Sequence, residues 1–165
     1  LRLVGEFCDW QLEVAGLLFQ QMPGESSGWQ EHRLCLLLRA TEVDFQVVSD
    51  GLGFGWRLFP SAGDRGSGTR QLSIGAVCKD ALIGGGDDGH GKNFRICGAV
   101  GCRASLLVRL RAPAGGAQAG PPVAAELRYE VLGETAVEQP QVEVGLGSVV
   151  PLASSSSSWS WSSPG

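Results

Sequence analysis

The chain is organised around residues 3–10, LVGEFCDW. This stretch starts with the apolar composition of a β-strand, continues with Phe7, which needs burial, and turns at Cys8 and Asp9. Trp10 follows this polar turn directly. A tryptophan just past a strand end is either a lid on the hydrophobic core or a platform on which a ligand stacks.

Most of the remaining chain consists of short stretches with alternating side chains, separated by turns rich in glycine and proline. In residues 126–132, for example, the inward positions are Leu127, Tyr129 and Val131. The candidate strands lie in residues 3–5, 31–39, 45–50, 56–59, 92–97, 103–111, 126–132 and 141–146. Because no stretch has the pattern of a convincing amphipathic helix, the sequence predicts an all-β fold, an antiparallel β-sandwich of seven or eight strands.

The composition argues against two classes of partner. The net charge is −4, which gives no electrostatic footprint for nucleic acid. No apolar run approaches the roughly 20 residues that cross a bilayer, so we expect no membrane partner. The sequence has no recognisable secretory signal, and we therefore expect an intracellular protein. Since the chain does not begin with methionine, we expect a fragment or a processed product.

The five cysteines have neither an even count nor a regular spacing, so they do not describe a disulfide framework. A zinc site would need some of them together with His32 or His90, but structural zinc sites usually contain closely spaced ligand pairs. We interpret the cysteines as buried or half-buried thiols in a reducing compartment.

A glycine-rich loop, GGGDDGHG, occupies residues 84–91. It resembles a phosphate-binding loop only in its glycine content, since it lacks the Gly-Lys-Ser/Thr ending and carries Asp87 and Asp88 where phosphate would be repelled. We interpret it as a solvated turn, with His90 exposed to water. No nucleophile or acid/base pair has a visible partner, so the sequence predicts a non-catalytic protein without a cofactor.

Three linked motifs suggest a family. Residues 4–10 end in a tryptophan, residues 45–51 read FQVVSDG, and Trp56 is followed by Pro60. Further on, in residues 89–96, two glycines precede Asn93, which lies in a candidate strand. Over residues 1–97 the chain resembles the glycogen- and starch-binding modules of the AMP-activated kinase β-subunit and of branching enzymes. The resemblance implies an immunoglobulin-like (early-set) sandwich and α-glucan, either glycogen or starch, as the binding partner.

By position, the resemblance implies that Trp10 and Trp56 stack on glucose rings and that Gln46 and Asn93 bond sugar hydroxyls. A pyranose has an apolar C–H face that suits an indole, and its hydroxyls suit amides, which both donate and accept. By strand parity, Gln46 and Asn93 lie on outward faces. In this family an asparagine is found at the position of Cys8, so we expect the turn to lose a side-chain hydrogen bond. A lysine is usual at the position of Gln46.

The domain organisation follows from these patterns. We expect residues 1–111 to form the sandwich module, residues 112–150 a connector with additional strands packed on it, and residues 151–165 a disordered Ser/Trp tail. Partners other than a polysaccharide or oligosaccharide would be further domains of a larger protein. The alternative function is a protein-interaction or scaffold domain that has the same fold and no sugar site.

Overall fold

The computed structural model describes residues 1–13, 17–23, 28–64, 68–114, 121–132 and 142–144, the last by backbone alone. Its elements are one short 3-10 turn, Glu6–Cys8, and eleven strands. The strands are β1 (Arg2–Gly5), β2 (Gln20–Gln21), β3 (Trp29–Leu38), β4 (Glu42–Ser49), β5 (Gly53–Pro60), β6 (Thr69–Gln71), β7 (Val77–Gly84), β8 (Asn93–Cys97), β9 (Arg103–Arg111), β10 (Ala124–Leu132) and β11 (Val142–Val144). The predicted all-β sandwich is therefore confirmed.

The strands fall into two groups by length. Seven have five or more residues, and they are β3, β4, β5, β7, β8, β9 and β10. Six of them overlap candidate strands of the sequence, whereas most of β7 lies in a weakly apolar stretch, 71–83, where the sequence gives no clear strand. The other four have two to four residues and pair with the longer ones, antiparallel for β1 and β2 and parallel for β6 and β11. Such short pairings carry little periodic signal in a sequence.

The strands form one continuous, predominantly antiparallel sheet that does not close into a barrel. Its order is β11-β3-β9-β10-β7-β5-β4-β8-β6, with β1 added to β4 and β2 added to β3. Inward side chains from both halves of this order, such as Leu36 of β3 and Leu58 of β5, belong to one buried cluster. The sheet thus folds over a single core, and β7 connects its two layers.

Strand β4 is the element on which the site is built. Phe45 pairs with Gly5 on one edge and with Phe94 on the other, while Val47 pairs with Leu3 and with Leu58. Strand β1 therefore occupies one edge of β4, and β5 and β8 share the opposite edge. This arrangement brings the turn after β1 close to β5 and β8.

The core is formed mainly by the alternating faces that the sequence indicates. Leu127 and Tyr129 have no exposed surface, but Val131 is 44% exposed, so its predicted inward position is wrong. The pairing of β10 with β7 runs only from Ala125 to Arg128, so Val131 lies beyond the cover of that strand. The largest fully buried side chains are Tyr129, Phe45, Phe94, Leu3, Leu17, Leu36, Leu38, Leu58, Ile96, Leu106, Leu127 and Val4.

The five cysteines are free thiols, two of them buried and three half-buried, as expected from the sequence. Among the described residues no helix is long and apolar enough to cross a membrane. The predicted Ser/Trp tail at 151–165 lies outside the described residues, as do most of the predicted connector and of the strand at 141–146.

Candidate functional site

Three of the four residues predicted to bind sugar line one cleft of about 540 Å³. These three are Trp10, Gln46 and Asn93, and we refer to the space as the Trp10 cleft. The other residues that line it are Glu6, Phe54, Arg57, His90 and Gly91. The cleft thus combines two aromatic rings with amide, imidazole, carboxylate and guanidinium groups.

Trp10 reaches the cleft because the chain reverses tightly after β1. The backbone amide of Asp9 donates to the carbonyl of Glu6 at 3.1 Å, and the backbone amide of Trp10 donates to the carbonyl of Gly5 at 3.0 Å. Asp9 and Trp10 both have left-handed backbones, with φ of 48° and 58°. Phe7 inside the turn is buried as predicted, whereas Trp10 is half-buried and packs against the edge of the core. Both alternatives, a lid on the core and a stacking platform, are compatible with this position.

The turn has a side-chain hydrogen bond although Cys8 stands where the modules that the sequence resembles have asparagine. The Cys8 thiol donates to the carbonyl of Gly5 at 3.2 Å, and the amide of Gly5 donates to the sulfur at 3.4 Å. Burial raises the pKa of the Cys8 thiol, which keeps it protonated and able to donate. The expected loss of this bond is therefore wrong, because sulfur acts as both donor and acceptor.

Gln46 lies on the predicted face of β4, but this face is covered. The residue is only 3% exposed, and its amide nitrogen donates to the carbonyls of Gly89 and Lys92, each at 2.8 Å. It also donates to Oδ1 of Asn93 at 3.2 Å. The expected outward position in solvent is thus wrong, because residues 84–92 fold over β4. Gln46 holds that segment in place and lines the cleft from beneath.

Asn93 presents its amide to the cleft from the first position of β8. Its backbone amide donates to the carbonyl of Gly68 at 2.9 Å, and its side-chain oxygen accepts from Gln46. The NH₂ group and the second lone pair of the oxygen are left to bond a ligand. The structure therefore brings Asn93 and Trp10 to the same cleft.

Arg57 is a lining residue that the sequence analysis missed. It is 7% exposed, and its guanidinium donates to Oε1 of Gln46 at 3.4 Å and to the carbonyl of Gly86. The Cζ atom lies 5.1 Å from the centroid of the Phe54 ring, within the range of a cation–π contact. A positive charge stacked on an aromatic ring therefore forms part of the cleft.

A bulge between β4 and β5 explains why Phe54 and Arg57 meet. Val48 pairs with Arg57 and the next residue, Ser49, pairs with Gly53, so residues 54–56 have no partners on β4. In a regular strand Phe54 and Arg57, which are three residues apart, would lie on opposite faces. The only sequence signal for this irregularity is the run of glycines at 51, 53 and 55.

Trp56, the fourth predicted site residue, does not line the Trp10 cleft. It lies within the bulge, is half-buried and packs against the core cluster. The structure therefore does not place Trp10 and Trp56 in one binding surface, although it places Trp10 and Asn93 in one cleft.

The glycine-rich segment at 84–91 forms a wall of the cleft instead of a separate loop. A Cβ atom at Gly89, where φ is +78°, would lie 2.4 Å from the ring of Phe59, so only glycine allows this close packing. Asp87 and Asp88 are exposed as predicted, and His90 is exposed at the rim. In the part of the chain that the structure describes, no group of three His, Cys or acidic side chains could hold a metal ion.

The Trp10 cleft can therefore stack a ring and bond its polar substituents. Trp10 and Phe54 offer aromatic surface, Asn93 and His90 offer donors at the rim, and Arg57 offers a shielded positive charge. Compared with family models, with curated proteins and with solved structures, the chain matches none of them.

Proposed function

We propose that this protein is a non-catalytic carbohydrate-binding module that holds an α-glucan, glycogen or starch, in the Trp10 cleft. The observation that carries the proposal is the convergence of Trp10, Gln46 and Asn93, three residues far apart in sequence, on one cleft. A half-buried indole beside a carboxamide suits the two surfaces of a glucose ring. In this proposal Trp10 stacks on the sugar and Asn93 bonds its hydroxyls, while Gln46 orients Asn93.

The experiment is a titration of the full chain with maltoheptaose, together with retention on glycogen resin. Trp10→Ala should weaken the affinity by about tenfold or more, because truncating a stacked tryptophan typically costs over 1 kcal/mol. Trp56→Ala should have a smaller effect, since Trp56 does not line the cleft. If the unaltered chain neither binds maltoheptaose nor stays on the resin, the proposal is wrong.

Trp29→Ala is the matched control. Trp29 begins β3, away from the cleft, where its ring lies 5.1 Å from the guanidinium carbon of Arg109. The substitution removes the same side chain and should leave the affinity for maltoheptaose unchanged. An equal loss of affinity in Trp29→Ala and Trp10→Ala would point to general destabilisation instead of a binding role for Trp10.

A second candidate, a scaffold or protein-interaction domain without a sugar site, is favoured by a different observation. Trp10 and Trp56 both pack against the core cluster, and Gln46 is buried and fully occupied by protein acceptors. In that case Trp10→Ala should lower the free energy of unfolding while the intact chain passes through glycogen resin without delay. The same pair of measurements therefore separates the two functions.

A further inference from the structure

Arg57 is a buried cation without a carboxylate partner among the described residues. It donates only to neutral oxygens, those of the Gln46 side chain and the Gly86 backbone, and its Nε has no hydrogen-bond partner. With 7% of its surface exposed, it is shielded from the water that normally stabilises a charge. Arginine is rarely buried to this extent unless it is paired with an opposite charge.

Among the described residues Arg57 is the one buried arginine. Six of the half-buried or exposed arginines form ion pairs with carboxylates, and they are Arg2, Arg33, Arg70, Arg95, Arg109 and Arg128. Arg109 is the best comparison, because its guanidinium also lies 5.1 Å from an aromatic ring, that of Trp29. Arg109 has Glu126 at 3.3 Å, whereas Arg57 has the open cleft. A negative charge is thus what the surroundings of Arg57 lack.

The acidic residues near the cleft do not fill this role. Glu6 lines the cleft and Asp87 and Asp88 follow Gly86, but all three side chains are exposed and none is ion-paired with Arg57. Solvent screens exposed carboxylates strongly, while a shielded guanidinium acts over a medium of lower dielectric constant. An anion that entered the cleft would therefore interact mainly with Arg57.

We propose that the Trp10 cleft prefers sugars that carry an anionic group, a phosphate ester or a carboxylate, and that Arg57 recognises this group. The inference rests on the proposed function, since it adds a charge requirement to the same sugar site. A guanidinium offers planar N–H donors that match both oxyanions. Nη1 and Nη2 of Arg57 each donate to one protein oxygen and each keep a second hydrogen for a ligand. The sugar ring would stack on Trp10 while its anionic group points toward Arg57.

The test compares three ligands by calorimetry with the full chain: neutral maltoheptaose, maltoheptaose with one phosphate monoester, and maltoheptaose with one glucose oxidised to a uronic acid. At least one acidic ligand should bind about tenfold more tightly than the neutral one, and added salt should reduce this advantage. A gain with only one of them supports the proposal and identifies the anion. Equal binding of all three overturns this inference alone, and no binding by any of them overturns the proposed function as well.

Two substitutions separate recognition from a structural role. Arg57→Met keeps the apolar contact with Phe54 and should reduce the ratio of acidic to neutral affinity to about one. A purely structural residue would weaken both ligands equally and leave the ratio unchanged, which would contradict the proposal. Arg109→Met is the control that should not alter the ratio. Should Arg57→Met not fold, Arg57→Lys keeps the charge without the planar donors and should still lower the ratio.

Discussion

Gly5 is the residue that lets the chain turn from β1 toward the cleft. A Cβ atom at this position would lie 2.3 Å from the carbonyl oxygen of Asp44 and 2.5 Å from the Phe7 ring. The reason for glycine here is the close approach of two backbones, since its φ of −176° is ordinary extended geometry. Any other side chain would push the turn, and Trp10 with it, away from β4.

Gly5→Ala should therefore lower the free energy of unfolding by about 1–3 kcal/mol, as overpacking of a filled site does. Urea denaturation followed by tryptophan fluorescence measures this change. Gly51→Ala is the control, because a Cβ atom there meets nothing within 4 Å, and it should stay within about 0.5 kcal/mol of the original chain. Similar midpoints for the two variants would contradict the steric argument.

Tyr129 is the only tyrosine of the chain and one of its largest buried residues. Its hydroxyl donates to the carbonyl of Cys97 at 3.2 Å, and burial raises the pKa of the phenol to about 12. In the unfolded chain the same group titrates near its ordinary value of 10. Between these two values the unfolded chain has lost a proton that the folded chain retains.

We therefore expect stability to fall as the pH rises from about 10 to 12, because the folded form binds more protons in that range. Tyr129→Phe should remove this contribution and also lose about 1 kcal/mol for the hydrogen bond to Cys97. The measurement is the urea midpoint at several pH values, with the phenolate band at 295 nm recording ionisation. A titration of the folded chain near pH 10 would disprove the assignment.

At the level of elements, the site depends on how the 84–92 segment covers β4. Alternation of FQVVSDG correctly places Gln46 opposite to Phe45 and Val47, but it cannot tell whether that face meets water or another segment. The same limit applies to the bulge between β4 and β5. Its extra residues change which side chains meet, and only the pairing of Val48 with Arg57 reveals the shift.

Gln46→Leu should release the covering segment. The substitution leaves the carbonyls of Gly89 and Lys92 without their donor, which should cost about 1–3 kcal/mol. Hydrogen exchange should become faster in residues 84–92 and change little in β9. Gln71→Leu, at an exposed position of β6, should leave exchange in this segment unaltered. Unchanged protection in Gln46→Leu would show that other contacts hold the segment.

On the scale of the whole molecule, β10 is an internal strand. It pairs with β9 along its full length and with β7 on its other edge, so it links β9 to the strand that connects the two layers. The side chains of Leu127 and Tyr129 in β10 are fully buried in the core. A boundary after residue 111, as composition suggests, would separate β10 from the two strands with which it pairs.

A chain that ends at residue 111 should therefore fail to unfold cooperatively, because it lacks β10 and exposes the facing edges of β7 and β9. A chain that ends at residue 150 should keep a cooperative transition, since it loses only the serine-rich tail. Thermal unfolding followed by circular dichroism compares the two. Cooperative folding of the shorter chain would mean that residues 1–111 are an independent domain.

The fold class, six of the seven longer strands and most of the core could be predicted from the sequence, because alternation and turn residues are local properties that the chain carries along its length. Which of the predicted site residues meet depends on the tertiary structure. Trp10, Gln46 and Asn93 come together through pairings of β4 with β1 and β8, while the bulge directs Arg57 into the same cleft and the position of Trp56 keeps it out. Such long-range register depends on the packing of distant segments, which no local pattern records.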